Sequence, residues 1–220
     1  MGLANQGMTP GRTTLLEGVN TLLENIGEMP VDQLENQQVH DARVAERTIL
    51  EFHREGQLRG WSWNSEQSYP FHKDAATKEV VVPANVISFA VNQYQWDGRF
   101  IVRGQRVYDK WTRGYKLEDD ISEITADVVW LLPWDESPEA FNRWTTIRSA
   151  RVFATRVLGA DSTIRYTALD EQAALTELMR TELSQAQPNS LTGGPGLRPF
   201  PTYQPGWGLM RGINGGQVIG

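Results

Sequence analysis

The chain has 220 residues, is 40% hydrophobic and 22% charged, and carries a formal charge of −6. It is long enough to bury a core unaided, and it contains no cysteine, which excludes a disulfide framework and a thiolate zinc site. The acidic balance argues against a protein that grips nucleic acid by its phosphates, though not against a wall past which DNA slides without sticking.

No apolar run is long enough to cross a membrane, and residues 1–12 lack the apolar centre of a secretory signal. Those first residues hold glycines, Asn5, Gln6 and Pro10 and read as a loose arm. Thr13 and Thr14 are candidate N-caps for a first helix ending near Ile26. Leu15, Val19, Leu22 and Ile26 recur at helical spacing, widened by Leu16 and Leu23. Gly27 accepts the left-handed conformation of a C-terminal cap, and Pro30 prevents the helix from resuming.

A second helix is predicted over about Asn36 to Arg59. Ala42, Ala45, Ile49 and Phe52 form its narrow apolar stripe, and small residues permit close helix approach. Arg47–Glu51 and Glu55–Arg59 stand at i, i+4 on its other faces. These charges suit either a solvated face or one read by a neighbouring subunit.

From Trp61 to Trp134 the pattern changes to short strands. Segments 79–82, 87–91, 100–102, 106–108 and 128–132 are rich in β-branched and aromatic residues. Asp97–Gly98 is a hairpin-turn signal between Trp96 and Phe100, and Arg103-Gly104-Gln105 and Arg113-Gly114 are predicted as further turns. Pro83 would end its strand or place it at an edge. Six of the eight tryptophans fall in this stretch; they either fill a small sheet's core or stand on an exposed edge as an interface. Trp96 and Phe100 are accordingly candidates for docking a partner.

Ser137-Pro138-Glu139 predicts a helix start with a capping serine. Phe141, Trp144, Ile147, Ala150, Ala154 and Val157 supply the stripe of this third helix, which ends at Gly159. It carries Arg143, Arg148, Arg151 and Arg156, with no acid from Phe141 to Gly159. Asp161 and Ser162 are expected to cap a fourth helix over about Thr163 to Ala186, with Leu175, Leu178, Met179 and Leu183 on its stripe. Residues 188–220 hold nine glycines, five prolines, two arginines and no acid. Phe200, Tyr203, Trp207, Met210 and Ile213 on such an irregular tail suit docking, against its own domain or around a partner.

The expected fold is therefore α+β. A four-helix bundle comes from residues 13–60 and 137–187, with a β-rich insert over 61–136. A flexible arm occupies 1–12 and an extended Gly/Pro-rich tail 188–220.

Chemistry-bearing patterns are sparse. His40, His53 and His72 are too scattered to read as a metal constellation. Gly193-Gly194-Pro195-Gly196 lacks the ending of a phosphate-cradling loop. Glu118, Asp119, Asp120 and Glu123, near Trp111 and Trp130, form either a solvated acidic loop or a carboxylate pair acting on a glycan. The arginines of the third helix suit acids of the second helix, an adjacent subunit, or DNA. Arg47, Glu51, Glu55, Arg143, Arg148, Arg151 and Arg156 are thus the candidates for subunit contacts. No cofactor or metal site is expected.

The run from Glu17 through Gly18-Val19-Asn20-Thr21-Leu22-Leu23-Glu24-Asn25-Ile26-Gly27-Glu28-Met29-Pro30 to Val31 resembles the opening helix of the tail tubular protein A family. These are the adaptor, or gatekeeper, proteins of short-tailed, T7-like bacteriophages. The resemblance continues through Arg59-Gly60-Trp61-Ser62-Trp63-Asn64 and Arg106-Val107-Tyr108-Asp109-Lys110. It closes from Pro138-Glu139-Ala140-Phe141 through Arg151 to Gly159-Ala160, covering about residues 13 to 187. It implies a structural virion protein of the phage tail, assembled in the host cytoplasm and not an enzyme. It further implies a twelve-fold ring beneath the portal, joined to a six-fold tail nozzle of the tail tubular protein B type. Genomic DNA would pass down the lumen without specific binding. The Gly/Pro tail is longer than the resemblance implies, and no catalytic residue carries over.

Overall fold

In the computed structural model, which describes residues 11–35, 39–91, 96, 98–159 and 166–186, the first helix starts and stops as its sequence dictates. Helix α1 spans Leu15–Asn25. Thr14 caps it in a reciprocal box: the Glu17 amide donates to Thr14 Oγ1, and the Thr14 amide to Glu17 Oε2 at 2.7 Å. At the other end Gly27 takes φ 83°. The Glu28 amide then reaches the Leu23 carbonyl and the Gly27 amide the Glu24 carbonyl, a Schellman closure. Val19, Leu22 and Leu23 are fully buried.

Helix α2 spans His40–Gln57, shorter than the predicted run from Asn36 to Arg59. Ala42, Ala45, Ile49 and Phe52 are buried as the stripe requires. The closest approach is made by Gly56. A Cβ there would stand 2.7 Å from Trp144 Cζ3 and 2.9 Å from the Phe141 ring, and both of those aromatic side chains are fully buried.

Among the described residues five strands follow: β1 (Ser65–His72), β2 (Val86–Val91), β3 (Phe100–Arg103), β4 (Arg106–Asp109) and β5 (Glu123–Trp130). The antiparallel sheet has the order β1-β5-β2, and β3 pairs with β4 in a separate hairpin. In β5, Ile124, Ala126 and Val128 alternate inward. The strand begins five residues before the apolar run at Val128 that marks it in the sequence. Leu131 and Leu132 lie beyond its end.

Strand β1 escaped prediction, because Ser-Glu-Gln-Ser-Tyr-Pro-Phe-His is polar and contains a proline. It is an edge strand, where Pro70 forfeits no ladder bond that must be made. A register shift between Glu66 and Tyr69 and a φ of 52° at Ser68 break its pattern further. Residues 79–82 form no strand; Val81 makes only an isolated bridge to Arg106, with Val80 and Val82 buried on either side.

The hairpin turns within Arg103-Gly104-Gln105, as its glycine predicts, and not at Asp97–Gly98. Residues Gly104 and Gln105 join β3 to β4, with Gly104 at φ 63°. Before β3 the Arg99 amide donates to the Trp96 carbonyl at 2.8 Å.

A 3-10 turn at Trp134–Glu136 returns the chain to the helices. Helix α3 spans Glu139–Leu158 and helix α4 Ala168–Ala186. Helix α3 packs against α1, α2 and α4.

Ser137 does not cap α3. The N-cap is Pro138, and the Ser137 hydroxyl is turned inward to His53 Nε2 at 3.0 Å and to the Pro133 carbonyl. Helix α4 starts later than predicted, with Thr167 and Asp170 bonding each other's amides. Asp161 and Ser162 lie outside the described residues. Along α4, Ala174 and Leu178 are buried while Met179 and Leu183 face outward.

The tryptophans of the 61–134 stretch do not share one sheet core. Trp61 packs with Phe141, Trp144, Ile147, Ala174 and Leu178, and Trp134 with α1 and α2. The β core is instead Phe71, Val80, Val82, Phe100, Val107, Leu117, Ile121, Ile124, Ala126 and Val128.

Two buried amides stitch the departure of the β part to its return. Gln57 Nε2 donates to the Leu132 carbonyl and Gln57 Oε1 accepts from the Leu132 amide at 2.8 Å. Asn64 Nδ2 donates to the carbonyls of Gln57 and Trp130.

His53 completes this junction. Gln57 Nε2 lies 3.0 Å from His53 Nδ1. The Gln57 nitrogen can only donate, so Nδ1 accepts and the ring proton sits on Nε2, facing Ser137. Burial pushes the imidazole from an ordinary 6.5 down to about 4. The unfolded chain takes up this proton near pH 6.5 and the folded chain only near pH 4. The contribution is therefore complete above pH 6.5 and lost as pH falls towards 4, by about 3 kcal/mol. Urea denaturation between pH 7 and pH 4 is expected to show this loss in wild type and a shallower slope in His53→Gln. Equal slopes would refute the assignment.

Candidate interaction surfaces

Arginines on α3 converge on acids from two other helices. Arg148 Nη2 donates to Glu55 Oε1 at 2.9 Å and its Nη1 to Glu171 Oε1 at 3.0 Å. Arg151 binds the other oxygen of Glu171 at 2.7 Å. Arg156 pairs with Glu51 at 3.2 Å. The Arg148 guanidinium also lies over Phe52, at 4.9 Å from its centroid. Of the residues singled out for subunit contacts, Glu51, Glu55, Arg148, Arg151 and Arg156 are thus joined within one subunit.

The i, i+4 pairs expected along α2 do not close as ion pairs among the described residues. Their acids turn to α3, and Arg59 lies over Trp144 at 5.2 Å. Arg47 and Arg143 remain exposed. Sequence reasoning missed Glu171, which joins α4 to two arginines. Its position in the first turn of α4 is the one signal it offered.

Exposed partially paired charge gathers on α2. The Arg156 hydrogen bond, together with the charges of Arg156, Arg47 and Arg54, holds the Glu51 carboxyl below its usual range. Because Glu51 is half exposed, this pairing marks charge density more than stability.

The β part holds a buried charge. Arg99 donates through Nε and Nη2 to Asp109 Oδ2, at 3.0 and 2.6 Å, and through Nη2 to Glu118 Oε2 at 2.8 Å. Asp109 is fully buried. Burial alone would raise its carboxyl, but the Arg99 guanidinium and the Trp111 amide outweigh that and hold it below the usual carboxylate range. Trp111 roofs the arginine with its ring centroid 4.8 Å away, and is itself 65% exposed.

The structure sends three acids of the 118–123 stretch to separate partners. Glu118 meets Arg99, Asp119 meets Lys78 at 2.7 Å, and Glu123 meets His72 at 3.4 Å. Among the described residues no group of three or more histidines, cysteines or acids stands where it would hold a metal ion. No helix of those residues is long and apolar enough to cross a membrane.

The aromatic docking candidates separate. Phe100 is 4% exposed and belongs to the β core, so its ring is not offered to a partner as expected. It lines a cavity of about 330 Å³ between β2 and β3. Trp96 is partly buried against it, ring centroids 5.0 Å apart. Among the described residues of this region, the exposed aromatic is Trp111. Phe200, Tyr203, Trp207, Met210 and Ile213 lie outside the described residues.

A protein-family model described as tail tubular protein matches residues 16–188, which takes in all four described helices and the strands between them. No curated protein matches the sequence.

Proposed function

The chain belongs to the tail tubular protein family, a structural component of phage tails, and from that premise we propose that it is the adaptor of a short-tailed, T7-like phage. In this reading it is the A-type tail tubular protein. Copies stand side by side in a ring, twelve by the family resemblance, between the portal and a tail nozzle of the B type. The helices form a bundle that makes the ring's frame, and the β insert and the C-terminal tail reach the neighbouring components. Genomic DNA passes through the lumen on ejection. A net charge of −6 favours passage over adhesion. The protein carries no catalytic role, and its strength comes from many repeated interfaces.

The observation that carries this reading is the extent of the family match. It runs unbroken across both helical segments and the β part between them. Purified protein mixed with portal and viewed by negative-stain electron microscopy is expected to show a ring attached to the portal. If no ring attaches, the adaptor reading fails.

A further inference from the structure

Charge is segregated across the helical part. From residue 13 to residue 39 the chain has Glu17, Glu24, Glu28, Asp32 and Glu35 and no lysine, arginine or histidine. Glu17 is engaged in the cap of α1. Glu24, Glu28, Asp32 and Glu35 are exposed, and none of the ion pairs formed among the described residues includes them. Met29, in their midst, is 82% exposed.

One face of helix α2 presents the opposite sign. Arg43, Arg47 and Arg54 are exposed and share one face by their spacing of four and seven residues. No ion pair among the described residues includes them. Arg156 of α3 joins this ridge through Glu51, so the guanidinium groups of Arg156, Arg47 and Arg54 surround one paired carboxylate. Exposed Val39 and Leu58 flank the ridge at its two ends.

A ring of identical copies needs two different, complementary faces on each subunit. The acidic edge after α1 and the basic ridge of α2 are such a pair, opposite in sign and each carrying exposed apolar side chains. We propose that the α2 ridge of one copy docks on the acidic edge, residues 24–35, of the next. The proposal rests on the ring reading above. It supplies an interface that Arg148 and Arg151, occupied within their own subunit, do not. Duplex DNA is the other anionic partner of this ridge, and an acidic subunit with an acidic edge disfavours it.

Charge exchange in the full-length protein tests the idea, with ring formation on portal counted by negative stain. Arg47→Glu with Arg54→Glu is expected to lower assembly about tenfold or more, as is Glu28→Lys with Asp32→Lys. A mixture of the two variants, or one chain carrying all four changes, is expected to recover it, because each reversed ridge then meets a reversed edge. Thermal unfolding of each variant, expected near wild type because the sites are exposed, checks that they fold. Wild-type assembly is also expected to weaken as salt rises, since exposed charges are screened within about 8 Å at physiological ionic strength.

Variants that assemble like wild type, a mixture that stays unassembled, or assembly indifferent to salt would each overturn the interface while leaving the ring intact. A wild type that forms no ring would instead refute the reading beneath it. Ridge variants that assemble normally yet lose salt-sensitive duplex binding would assign the ridge to DNA and overturn the proposal.

Discussion

Asp109→Ala is expected to destabilise the protein by about 3–5 kcal/mol, because it leaves the Arg99 guanidinium buried without its main counter-charge. Arg99 is 6% exposed and Asp109 fully buried. The aspartate does more than balance charge, since its Oδ1 also accepts the Trp111 amide at 2.8 Å. Glu118 cannot take over, since it already binds Arg99 Nη2 from an exposed position. Urea denaturation at pH 7 measures the loss. The double change Arg99→Met with Asp109→Leu is expected to recover most of it, because a buried ion pair replaced by apolar groups of similar volume is often near neutral. The Trp111 amide would still lack its acceptor. A single Asp109→Ala variant within about 1 kcal/mol of wild type would show that water reaches and solvates the guanidinium.

The second large effect is expected at Gln57. Its side chain is fully buried and makes three hydrogen bonds, two to the Leu132 backbone and one to His53 Nδ1. Gln57→Leu keeps the approximate volume but leaves the Leu132 amide, the Leu132 carbonyl and the histidine nitrogen without this partner. At about 1–3 kcal/mol for each unsatisfied buried group, a loss of about 4 kcal/mol follows. The site joins the last turn of α2 to the returning chain, so the loss falls where the β part rejoins the helices. Hydrogen exchange at the Leu132 amide reports it directly: strong protection in wild type, and protection reduced by more than a hundredfold in Gln57→Leu. Unchanged protection there would mean that Leu132 finds another partner.

Much of the helical framework was legible in the sequence, because its signals are local. Thr14 meets Glu17 three residues on, and Gly27 closes α1 within one turn. The buried faces of α1 and α2 followed from spacing alone. Strands β2, β3 and β4 were visible from the β-branched and aromatic runs at 87–91, 100–102 and 106–108. Strand β1 was not, because an edge strand needs neither an apolar run nor every amide.

The candidate surfaces were legible only in part. The arginine-rich face of α3 was apparent as a pattern, but its partners stand far off in sequence: Glu55 lies 93 residues from Arg148 and Glu51 lies 105 from Arg156. Ser137 looked like a cap because Ser-Pro-Glu favours one. His53, 84 residues earlier, holds its hydroxyl instead. Phe100 looked like a docking residue because its type is common at interfaces, and burial against β4 and Trp96 decided otherwise.

By itself the sequence determined the caps of α1, the apolar faces of α1 and α2, and the family. These depend on residue order over a few positions, and on backbone preferences that act within one turn. Tertiary structure alone decided which charges neutralise one another, which of the aromatic residues are inside, and how Gln57 and Asn64 tie the β part to the helices. Those outcomes depend on which distant groups are brought within hydrogen-bond reach and cut off from water. The same packing that pairs Arg148, Arg151 and Arg156 leaves the α2 ridge and the acidic edge exposed, with no ion-pair partner for Arg43, Arg47 or Arg54 among the described residues.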